Sequence, residues 1–93
     1  MARPAARLHI EGAVQGVGYR VWAIDTARRL GLDGWVRNRD DGSVEVMAIG
    51  FPAALEALTE ACRKGPRGAV VQAVERYSEE DDGSVGFSEQ APD

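Results

Sequence analysis

In the stretch EGAVQGVGYRVW, Gly12, Gly16 and Gly18 lead into a single arginine, Arg20, at the start of an apolar run. Glycine tolerates backbone angles that other residues avoid, so the segment Gln15, Gly16, Val17, Gly18 and Tyr19 can turn successive N–H groups toward one point. Such a concave set of donors attracts anions. If a helix starts at or just before Arg20, its unpaired N–H groups and positive dipole end converge on the same place, where phosphate is the usual guest. The Arg20 guanidinium would add a planar fork matched to two phosphate oxygens. The plainer alternative is a tight strand-to-helix turn followed by a solvated arginine, and glycine spacing alone leaves both open. A second polar residue, Asn38, closes the run GWVRN just before an Asp-Gly turn. Its amide carries both an acceptor and donors, so it can accept a hydrogen bond from a water and donate to a nearby oxygen. Equally, an asparagine there can serve only the backbone of its own turn.

Other chemistries find little support. The pattern GxxxxGK[ST] is absent, and GVGYRV lacks the third glycine of the dinucleotide fingerprint. The lone histidine, His9, alternates to the wet side of its strand, and the lone cysteine, Cys62, repeats at helical spacing with Leu55 and Leu58, as a small core residue does. One cysteine and one histidine leave no disulfide and too few soft ligands for structural zinc, so no cofactor or metal is expected. The acidic pairs Asp40–Asp41 and the run SEEDD at 78–82 fit no calcium loop and read as solvated turns. Eleven Lys plus Arg against fifteen Asp plus Glu give a net charge of −4, the opposite of a nucleic-acid footprint. RNA binding would also ask for stacking aromatics on the central strands, and Arg7–Val14 has none.

The elements that must position these groups follow from periodicity. With 93 residues and 44% apolar content, a single domain over 1–93 is expected, its core spanning about 7–88. Leu8 and Ile10 alternate with His9 and Glu11, which predicts a first strand over Arg7–Val14. Ala23, Ile24, Ala27 and Leu30 recur at helical spacing, with Gly31 as the stop. Asp33–Asn38 and SVEVMAI, joined through RDDGS, predict a hairpin, with Val44, Val46 and Ala48 on one side and Glu45 and Met47 on the other. Pro52 opens a second helix that KGP at 64–66 ends, and AVVQAVERY supplies a fourth strand. Strand, helix, strand, strand, helix, strand is the ferredoxin-like α+β order: an antiparallel sheet with both helices on one face. Trp22 and Trp35 read as packing residues, the latter with the option of bordering a ligand. Only Val85 and Phe87 offer anchors in the tail after Tyr77.

Taken together, GAVQGVGYR at 12–20 and GWVRNRDDGSVEVMAIG at 34–50 resemble the paired signatures of the acylphosphatase family. KGPRGAVVQAVE extends the likeness, which covers residues 7–77. The resemblance implies a ferredoxin-like fold and hydrolysis of a small acyl phosphate to a carboxylate and inorganic phosphate. Position by position it puts the phosphate-binding arginine on Arg20, the phosphate loop on Gln15 through Tyr19, and the water-orienting asparagine on Asn38. The chemistry agrees. Phosphoryl transfer through a loose transition state needs positioning and charge stabilisation, and a carboxylate leaves without a general acid. The sequence departs from the family in the tail, where Phe87 is followed by Ser88, Glu89 and Gln90 in place of an aromatic-led alternating strand. A monomer with no nucleic-acid partner is expected. With no apolar stretch near the roughly 18 residues that cross a bilayer and no leader-like start, so is a cytoplasmic location. The competing reading is a non-catalytic ferredoxin-like module that binds a phosphorylated metabolite.

Overall fold

The computed structural model describes residues 3–93. Its elements are β1 (Ala5–Ala13), α1 (Tyr19–Arg29), β2 (Asp33–Asn38), β3 (Val44–Ile49), α2 (Pro52–Lys64), β4 (Val70–Glu79) and β5 (Phe87–Glu89). The sheet order is β4-β1-β3-β2-β5. The first four strands pair antiparallel, and they realise the expected ferredoxin-like order with β1 and β3 central. The tail adds what the alternation pattern does not contain: β5 pairs with β2 in parallel, Gly34 against Phe87 and Val36 against Glu89, so the five-stranded sheet is mixed at this edge. Phe87, 2% exposed, anchors that strand in the core.

The pleat divides the sheet into two faces. Leu8, Ile10, Val36, Val44, Val46 and Ala48 point toward the helices and form one core with Ala23 and Ala27 of α1 and Leu55, Leu58 and Cys62 of α2. The opposite face carries Arg7, His9, Trp35, Arg37, Glu45 and Tyr77. Alternation predicts Glu45 on this wet side, and it does point there, yet its side chain is only 5% exposed. Three arginines cover it: Arg37 Nε lies 2.7 Å from its carboxylate, and Arg7 Nη1 and Arg39 Nη1 each 3.4 Å away. Trp35 belongs to the same layer, its ring under the Arg37 guanidinium at 5.3 Å and its Nε1 donating to Asp82 at 3.0 Å.

Because β1 and β2 both pair antiparallel with β3, they run in the same direction and end at the same edge of the sheet. That edge carries the glycine-rich segment after β1 and Asn38 at the end of β2. With one strand between them, the two strand ends stand about 10 Å apart, a gap that a phosphoryl group and a water can span.

Candidate active site

The loop is shaped by two glycines in the left-handed region. Gly16 has φ 75° and Gly18, the N-cap of α1, has φ 78° and ψ 18°. Side chains at either position would meet nothing within 4 Å, so backbone angle, not space, demands glycine here. Alternation of left-handed and ordinary backbone brings successive N–H groups to one side of the chain. The N-terminus of α1 has no side-chain cap and no acid in its first turn. Its first N–H groups and dipole therefore remain available to an anion.

Two side chains of the loop serve as anchors. The Gln15 amide donates to the carbonyls of Arg39, at 2.7 Å, and Ser43, at 2.9 Å, tying the loop to the β2–β3 turn. The sequence expectation put Gln15 among the phosphate ligands; its amide side chain is spent on the hairpin, which leaves the backbone as its means of contact. Tyr19 is 2% exposed and its hydroxyl donates to the Cys62 carbonyl at 2.7 Å, fixing the start of α1 to the end of α2. Burial drives the Tyr19 pKa upward and pushes the Cys62 thiol up to about 11. Both groups are neutral anchors, as the core reading of Cys62 anticipates. Trp22 packs edge-on against Tyr19, with ring centroids 5.2 Å apart. Val17 is half-buried against the same core.

Asn38 continues the helix-facing side of β2 from Val36, so its side chain points toward the layer that holds α1. Its Oδ1 is buried and has no hydrogen-bond partner among the described residues. Unpaired buried acceptors are rare and cost about 1–3 kcal/mol, so this one calls for a reason. The turn-residue alternative does not supply one, because the turn is held by Asp41, whose carboxylate accepts from Ser43 N at 2.9 Å and Ser43 Oγ at 2.6 Å. These bonds hold the Asp41 carboxyl below the usual carboxylate range.

Arg20 lies one residue into α1, with its guanidinium partly exposed and its Nη1 donating to Glu89 of β5 at 2.5 Å. Periodicity could not reveal this partner, 69 residues away in a tail with no alternating pattern. A cleft of about 570 Å³ next to the loop is lined by Glu11, Ala13, Asp41, Ser43 and Gln72. Its two carboxylates and lack of a lining cation make it unsuited to a phosphate. On the open face His9, Glu11 and Glu75 bring one donor atom each within 4.8 Å of one another. That group sits across the sheet from Arg20.

Residues 6–89 match the family model described as Acylphosphatase. The chain is 52% identical over 71 residues to an acylphosphatase from Rhizobium etli, with 76% of each chain covered. Its identity to a Nostoc acylphosphatase is 46% over 82 residues, covering 88% of this chain and 81% of that one. The crystal structure of Bacillus subtilis acylphosphatase superposes with a TM-score of 0.90 at 35% identity, covering 94% of this chain and 98% of that chain. The fold alone is shared with a 12% portion of full-length HypF, at 22% identity and a TM-score of 0.89.

Proposed function

Because this chain belongs to the acylphosphatase family, we propose that the backbone amides of Gln15 to Tyr19 and the Arg20 guanidinium bind the phosphoryl group of a small acyl phosphate while Asn38 orients the attacking water. The activity is hydrolysis of the carboxyl–phosphate bond, releasing a carboxylate and inorganic phosphate. Family membership favours this enzyme over a module that only binds a phosphorylated metabolite. The observation that carries the site assignment is the buried, unpartnered Oδ1 of Asn38 at the sheet edge it shares with the two-glycine loop.

Three steps follow. The substrate phosphate settles on the loop amides and helix end, whose fixed partial charges meet the equatorial oxygens without reorganising. Asn38 Oδ1 accepts a hydrogen bond from water, which turns a water lone pair toward phosphorus, opposite the leaving oxygen. As the P–O bond to the acyl group breaks, its electron pair stays on the carboxylate. An ordinary carboxyl pKa near 4 means that this group leaves unprotonated at neutral pH. The water proton passes to a phosphoryl oxygen, so no protein side chain is asked to titrate. In the same reading the enzyme works as a cytoplasmic monomer and asks for no cofactor.

Arg20→Ala and Arg20→Lys test the assignment with acetyl phosphate as substrate. A phosphoryl-transfer arginine is worth roughly a thousandfold or more in rate, and a lysine point charge does not reproduce the fork. Both variants should lose at least 100-fold in kcat/KM with an unchanged circular dichroism spectrum. Near-normal turnover in either sinks the assignment.

A further inference from the structure

Arg20 is held from the far end of the chain. Glu89 follows the buried Phe87 by two residues, so the pleat puts it on the helix-facing side of β5, beside the first turn of α1. The segment around it is pinned: Gln90 N donates to Val36 O at 2.9 Å, Asp93 N to Asn38 O at 3.1 Å, and Arg39 pairs with Asp93 at 2.9 Å. The carboxylate is thus built into the sheet edge and not carried on a loose tail.

A guanidinium offers two flat edges, one formed by Nη1 and Nη2 and the other by Nε and Nη2. Glu89 takes Nη1. Nε and Nη2, whose N–H bonds run parallel, have no hydrogen-bond partner among the described residues. That free edge can grip phosphate in a bidentate manner. We propose that Glu89 is a positioning residue, holding Arg20 by one end so that the Nε–Nη2 edge is turned toward the phosphoryl group. This rests on Arg20 being the phosphate ligand. An arginine held in this way has already given up much of its rotamer freedom before substrate arrives, so less is lost on binding. Repulsion between Glu89 and the phosphate is the opposing effect. Water at the 44% exposed Glu89 side chain weakens that repulsion, and the inhibition constant of phosphate reads the net of the two effects.

The test measures KM for acetyl phosphate, the inhibition constant of inorganic phosphate and the melting temperature for wild type, Glu89→Ala, Glu89→Gln and Arg20→Ala. Freeing one rotamer-rich side chain should weaken phosphate binding by roughly 3- to 10-fold, so Glu89→Ala raises both constants by that factor while kcat changes less than about threefold. Glu89→Gln keeps an acceptor oxygen and restores most of the loss. Melting temperatures stay close to wild type, since an exposed ion pair contributes little. An unchanged inhibition constant in Glu89→Ala overturns the proposal, and so does a tighter one, which would make the carboxylate a competitor for Arg20. If Arg20→Ala itself binds phosphate like wild type, it is the reading of the site that fails; if Arg20→Ala loses phosphate and Glu89→Ala does not, the Glu89 role alone is wrong.

Discussion

Asn38→Ala should separate function from stability. In the folded protein the Asn38 Oδ1 is buried without a hydrogen-bond partner among the described residues, whereas in the unfolded chain it is hydrated. Folding therefore takes the acceptor out of bulk water and returns no protein donor among the described residues, at a cost of up to about 1–3 kcal/mol. Truncation to alanine removes that cost along with the rest of a small polar side chain. The net effect on stability should lie between zero and about +2 kcal/mol. For a domain of 60–100 residues each kcal/mol moves Tm by roughly 4–8 °C, so the variant should melt no lower than wild type and up to about 16 °C higher. Turnover should move the other way. Losing a group that orients the nucleophile, like losing one transition-state donor, costs on the order of 100- to 1000-fold in kcat, or about 2.7–4 kcal/mol. Differential scanning calorimetry and an acetyl phosphate assay on the same preparation read both numbers. A variant that loses more than about 1 kcal/mol of stability while keeping its turnover would refute the argument, because Oδ1 would then have been serving the fold.

Two further outcomes follow. Glu45→Gln keeps the shape but removes the charge that three arginines share beneath their guanidinium groups, and it should cost about 1–3 kcal/mol in urea unfolding without changing KM for acetyl phosphate. Acid should weaken the tail and hairpin turns first: Asp33, Asp41, Asp81 and Asp82 all have carboxyl pKa values lowered in the fold, by Arg3, Ser43, Gly83 and Ser84 respectively as the leading hydrogen-bond partners. A lowered folded pKa contributes stability that is complete above the unfolded value near 3.9 and is lost as pH falls through the folded value, so the urea midpoint should be flat between pH 5 and 7 and drop below about pH 4.

What was legible in the sequence is what depends on near neighbours. The alternation of Leu8 and Ile10, the helical recurrence of Ala23 and Ala27, and the Asp-Gly turn at 41–42 each specify a local element, and they place the Gly16–Gly18 loop and Asn38 at strand ends. The rest depends on partners far along the chain. Gln15 meets Arg39 and Ser43 across 24 and 28 residues, and Arg20 meets Glu89 across 69. Glu45 is read by alternation as a wet residue, and it is wet in direction; its burial comes from arginines on three different segments closing over it. The fifth strand has one apolar anchor and no alternation. It forms because the free edge of β2 pairs its backbone with Phe87–Glu89, helped by Asp33, which accepts from Gly86 N at 2.8 Å.

Three features meet at one edge of the sheet. Two left-handed glycines, a helix start without a side-chain cap and a buried acceptor without a donor among the described residues all lie at the C-terminal edge of β1 and β2. The uncapped helix start and the unpaired acceptor add nothing to folding, and all three features are what binding and orienting a phosphoryl group and a water would use. The bonds that compensate are set back from the chemistry: Tyr19 OH on the Cys62 carbonyl fixes the helix start from below, and the Gln15 amide fixes the loop from the hairpin side. In the proposed site the backbone donors are held by Tyr19 and Gln15 from behind the loop, and Arg20, as the one long side chain proposed to reach the phosphate, has Glu89 bonded to it.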